Sequence, residues 1–101
     1  MSRHIIAPEA NQDLDEISNY FLACNLEAGE RWFQSFNERC KQLVRFPEMG
    51  RGYPQIRSYL RGLPLEGFII FYRVKDDVIE IMRVVSGRRN LGSLFADAED
   101  E

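Results

Sequence analysis

The chain has 101 residues, 45% of them apolar and 29% charged, with a formal net charge of −3. That length allows one domain with a core that needs no metal or disulfide, and that composition excludes a disordered chain. The acidic balance argues against a general nucleic-acid coat, and no apolar run approaches the ~18 residues of a membrane span.

Arg3 to Ala7 predicts a short strand centred on Ile5 and Ile6. Pro8 suits the first turn of a helix, where its missing N–H costs nothing. Glu9, Asp13, Asp15 and Glu16 load the start of that helix with negative charge, which its dipole favours. Leu14, Ile17, Phe21 and Cys24 recur at helical spacing, and Asn25 marks the stop. A second helix is expected from about Leu26 to Phe46, with Ala28, Trp32, Phe36, Cys40 and Leu43 as its apolar stripe. So short a connection forces the two helices into an antiparallel hairpin.

FPEMGRGYPQ, Phe46 to Gln55, carries two Pro and two Gly in ten residues and predicts a loop. Ile56 to Leu65, broken by Gly62 and Pro64, predicts an edge strand. Phe68 to Val74 and Val78 to Ser86 predict a hairpin turning on Asp76-Asp77. Opposed residues then sum to 153, which sets Arg73 against Glu80 and Ile70 against Arg83. Asn90 to Ala98 has the pattern of one weak helical turn, and the tail DAEDE is expected to fray. The expected fold is α+β, a helical hairpin on one face of a sheet of three to four strands. Residues 1–96 form its single domain and 97–101 a disordered acidic tail.

The hairpin strands are apolar on both faces, where a sheet with one wet side alternates. One face carries Ile70, Tyr72, Ile79, Ile81, Arg83 and Val85; the other carries Ile69, Phe71, Met82 and Val84. If the helices cover the first, the second is closed either by loop 47–55 with the C-terminal turn, or by another protein.

Residues 31–75 hold nine Lys or Arg against three acids, inside an acidic chain. This basic middle is either solvated surface or a face for an acidic partner. Cys24 and Cys40 lie ~20 Å apart along the second helix, too far for a disulfide, and read as buried thiols in a reducing compartment. Met1 leads directly into a strand, so no secretory leader is expected. With one His and no Cys/His cluster, neither metal nor cofactor is expected. The remaining chemistry is cationic: Arg57, Arg61, Arg83, Arg88 and Arg89, of which the SGRRN pair sits at a strand end.

APEANQDLDEI opens the first helix, and FNERCKQLVRFPEMGR ends the second. RSYLRGLPLEG, FIIFYRVKDDVIEIMRVVSGRRNL and a terminal SLF follow in order. Together, over residues 3–96, these resemble a ParE-type toxin of the RelE/ParE superfamily of bacterial toxin–antitoxin modules. The resemblance implies a cytoplasmic plasmid-stabilising toxin that inhibits DNA gyrase by binding, neutralised by a ParD-like antitoxin. RelE-like members instead cleave messenger RNA on the ribosome, with several Lys and Arg and a C-terminal Tyr. Here the basic strand position is Ile69, the Tyr position is Phe95, and Arg89 alone matches, with Arg57 or Arg61 as stand-ins. Arginine stabilises charge but is a poor general base, so a binding toxin rather than an enzyme is expected. Arg83, Arg88 and Arg89 are then the expected target contacts. Ile69, Phe71, Met82 and Val84 are the expected antitoxin contacts.

Overall fold

The computed structural model describes residues 3–88. The order is β1 (Arg3–Ile6), α1 (Pro8–Cys24), α2 (Leu26–Arg45), β2 (Arg51–Gly52), β3 (Arg61–Leu65), β4 (Phe68–Lys75) and β5 (Val78–Ser86). The expected turn at 90–98 and the acidic tail lie outside the described residues.

One residue divides the two helices. Asn25 ends α1 through its N–H to the Phe21 carbonyl, and its side chain accepts from the Ala28 N–H to cap α2. Pro8 opens α1, as its fixed φ favours. The hairpin is tight because α2 has no side chain at Gly29. A Cβ there would lie 2.5 Å from the Cβ of Phe21.

The sheet has five strands in the order β1-β5-β4-β3-β2. It is mixed, not purely antiparallel, because β1 runs parallel to β5 from Arg3↔Val78 to Ile6↔Ile81. The long connection that a parallel pair requires runs from β1 through the helical hairpin and β2–β4. The additional strand is β2, two residues inside the stretch expected to be all loop. β3 starts at Arg61 instead of Ile56, and the intervening residues fold into turns closed by Tyr53 N–H to the Leu60 carbonyl.

The β4–β5 turn adopts positive φ at Asp76 (53°) and Asp77 (67°), the twist that a two-residue hairpin favours. Register follows the expected sum from there, and Arg73 meets Glu80 at 2.7 Å. It breaks after Tyr72↔Ile81, where Phe71 pairs with Arg83 and leaves Met82 as an extra residue. This β-bulge sets Ile70 against Val84, not Arg83.

The bulge also exchanges the faces of the residues beyond it. Val84 joins the main core with Ile70, Tyr72 and Ile81, under Leu14 and Ile17 of α1 and Trp32 and Phe36 of α2. Val85 turns to the second face, in a smaller core with Tyr53, Leu60 and Phe71. The main core is aromatic: Trp32 stacks on Phe36 at 5.7 Å, and its indole N–H donates to the Leu65 carbonyl at 3.3 Å. Cys40 is buried as expected, but Cys24 is exposed, since the chain leaves the hairpin interior at the turn.

Candidate functional site

The second face of the sheet is closed by its own chain. Tyr53 packs edge-on to Phe71 at 5.0 Å, and Leu60 lies beside them, with Ile56 and Tyr59 around the rim. Phe71 is fully buried there and Val84 is buried under the helices, so neither is available to a partner in this fold. Of the two closures expected for this face, the chain's own is the one present, made by Tyr53 of loop 47–55 and extended to Leu60; the expected antitoxin contacts Phe71 and Val84 are buried because of this cover and because the bulge moves Val84 across the sheet. Ile69 and Met82 remain half-buried at the margin of the smaller core.

On the helix side of the sheet, the surface at the C-terminal end of β5 is open. There a groove of about 490 Å³ runs between α1 and the strand ends, lined by Asp13, Glu16, Tyr20, Phe68, Ser86 and Arg88 among others. Its floor is apolar, with Ile17, Phe68 and Val84 among the lining residues. Tyr20, 59% exposed, and Glu16 stand on the helix side, and Arg88 on the strand side.

Asp13, which lines this groove, is paired with Arg83. The Arg83 guanidinium donates through Nε and Nη2 to the two Asp13 carboxylate oxygens, at 2.7 and 3.0 Å. The Val84 N–H donates to the same carboxylate at 3.0 Å. β1 ends its pairing at Ile81, so the edge of β5 beyond it is met by the helix. Asp13 is 7% exposed, and its hydrogen bonds hold Arg83 more firmly protonated than a free guanidinium.

Of the expected target contacts, the structure therefore ties Arg83 to Asp13 and sets Arg88 on the groove wall. Arg89 lies outside the described residues, as does Phe95. Arg61 donates to the carbonyls of Gly50 (2.6 Å) and Glu48 (3.2 Å), and Arg57 to that of Ile56 (2.7 Å). These two arginines hold loops. Tyr72 joins Arg61 in this, donating to the Pro47 carbonyl and accepting from the Gly50 N–H, while burial pushes its phenol up. Sequence reasoning missed Asp13, Glu16 and Tyr20, since acids early in a helix also suit its dipole. Asp13 had one signal: it falls one residue before Leu14, on the buried side of α1.

Among the described residues no group of His, Cys, Asp and Glu could hold a metal, and no helix is long and apolar enough to cross a membrane.

The family model for the ParE toxin of type II toxin–antitoxin systems, parDE, matches residues 5–91. The chain belongs to the ParE toxin family. Among solved structures, the chromosomal ParDE TA system from P. aeruginosa resembles this ParE-type toxin at 28% identity and a TM-score of 0.72. The match covers 85% of this chain and 96% of that one. Among curated proteins, none matches. The strand, helical hairpin and sheet of the expected RelE/ParE-like fold are thus present, with five strands instead of three or four.

Proposed function

We propose that this ParE-type toxin acts in the cytoplasm by binding DNA gyrase, and that a ParD-like antitoxin neutralises it. The observation that carries this reading is the groove beside α1. Its floor is apolar, and its charges are either paired, as Asp13 with Arg83, or set on the two rims, as Glu16 and Arg88. An apolar trough with opposed charged rims suits a protein segment, with the rim charges setting orientation. The arginines that a ribonuclease would recruit from the strand region, Arg57 and Arg61, are engaged with main-chain carbonyls.

Arg88 is the proposed target contact among the described residues, with Arg89 following it in sequence. The antitoxin is proposed to cover half-buried Ile69 and Met82 together with the hairpin surface, where Leu22 and Leu26 are 63% and 55% exposed. The test is a supercoiling assay with purified gyrase, run beside a translation extract carrying a reporter message. Loss of supercoiling with intact message supports the proposal. Cleavage of ribosome-bound message with supercoiling untouched overturns it in favour of a RelE-like nuclease.

A further inference from the structure

In an unbroken β4–β5 ladder every opposed pair would sum to 153, as Arg73 and Glu80 do. Phe71 would then face Met82, and Val84 and Ser86 would project on the second face, because a strand alternates sides with period two. The one-residue bulge at Met82 reverses this. Val84 enters the main core, and Ser86 and Arg88 reach the groove with Glu16 and Tyr20. The face that Ser86, the last residue of β5, presents is thus decided at the bulge, and Arg88 in the following turn is tied to it by its backbone N–H to the Ser86 hydroxyl.

A bulge leaves the ladder locally disrupted, so contacts from outside the ladder help to decide whether it forms. Asp13 anchors the two residues directly after Met82 from the edge of β5 that β1 leaves open: it accepts from the Val84 N–H at 3.0 Å and from the Arg83 guanidinium at 2.7 Å. Both are fixed by one carboxylate that α1 carries, and α1 also forms the opposite wall of the groove. The same side chain therefore ties β5, directly after the bulge, to the helix that walls the groove.

We propose that Asp13 is the positioning residue of the target-binding surface: its carboxylate locks the bulge at Met82 and so places Arg88 on the helix side of the sheet. This rests on the gyrase reading above for what Arg88 touches, but not for the register. No contact between Asp13 and the target is required.

The test uses isotope-labelled full-length Asp13→Ala and Asp13→Asn in two arms. In the first, cross-strand nuclear Overhauser contacts and amide exchange report register. The wild type shows Phe71 opposite Arg83 and a protected Val84 amide. Asp13→Ala is expected to move Phe71 to Met82 and to speed Val84 exchange by about tenfold or more. Asp13→Asn keeps an acceptor for Val84 but no charge for Arg83, and is expected to show both registers; it decides the matter if the alanine variant does not fold. In the second arm, the toxin concentration that half-inhibits gyrase, corrected for folded fraction, is expected to rise about tenfold in the variant whose register moves. A lower melting temperature with register and inhibition unchanged overturns the proposal, since that is what a merely structural ion pair would give. A wild type that leaves supercoiling untouched overturns only the gyrase reading, because the first arm still reports the register.

Discussion

Asp13 and Arg83 lie 70 positions apart and meet in a two-point hydrogen-bonded ion pair, with 9% and 19% of their side chains exposed. A carboxylate this enclosed is costly without its cation. Arg83→Ala is therefore expected to lower stability by about 2–4 kcal/mol. Urea denaturation read by tryptophan fluorescence measures it, since Trp32 reports the main core. A change below ~0.5 kcal/mol would show that the pair contributes little here.

Gly29 packs directly against Phe21 of α1. An alanine Cβ would sit 2.5 Å from the Phe21 Cβ and 2.9 Å from its Cγ, atoms near the backbone that cannot swing aside. Alanine gains ~1 kcal/mol of helix propensity but forces the helices apart. Gly29→Ala should be net destabilising by about 1–2 kcal/mol. A higher melting temperature in the variant would contradict this packing.

Phe71 is fully buried beneath Tyr53 and Leu60. Phe71→Asp places a carboxylate in an apolar core and is expected to cost more than ~4 kcal/mol, enough to unfold a domain of this size. Circular dichroism decides between this and a surface contact, which would leave the fold intact.

The two thiols should separate chemically. Burial pushes the Cys40 thiol up to about 11, whereas Cys24 is exposed at the hairpin turn. At pH 8 a thiol reagent should label one cysteine per native chain, and both after denaturation. An unfolded Cys40 loses its proton near 9.0, while the folded one holds it to about 11. The unfolded chain thus binds fewer protons in that window, so this contribution is full below pH 9 and is lost as pH rises towards 11. A Cys40→Ala variant should lack that part of the alkaline slope in a stability–pH series.

Arg88 is exposed, and its backbone N–H donates to the Ser86 hydroxyl. Arg88→Glu should change stability by less than ~0.5 kcal/mol. The same variant should weaken gyrase inhibition about tenfold, because it reverses the charge on one rim of the groove. Unchanged inhibition would remove Arg88 from the contact.

Much of this molecule is set by local rules. Pro8, the acids after it and Asn25 bound α1, and Trp32, Phe36, Cys40 and Leu43 recur at helical spacing and are buried together. Asp76-Asp77 forces a two-residue turn, which places Arg73 beside Glu80. Periodicity and turn chemistry act over a few residues and need no knowledge of what lies opposite, so a chain read alone reveals them.

The bulge at Met82 is different. Nothing near Met82 in the chain marks it, because the residue that stabilises it is Asp13, on another element. The cover over the second face is likewise a long-range event, in which Tyr53 and Leu60 reach Phe71 across the sheet. The sequence by itself determined the helical hairpin, the first strand, the β4–β5 hairpin and the family; tertiary packing added β2, set the start of β3 and decided which side of β5 faces inward beyond the bulge. The physical reason is that side-chain direction in a strand reverses with a one-residue shift, and the energy that selects the shift comes from contacts far away in the chain.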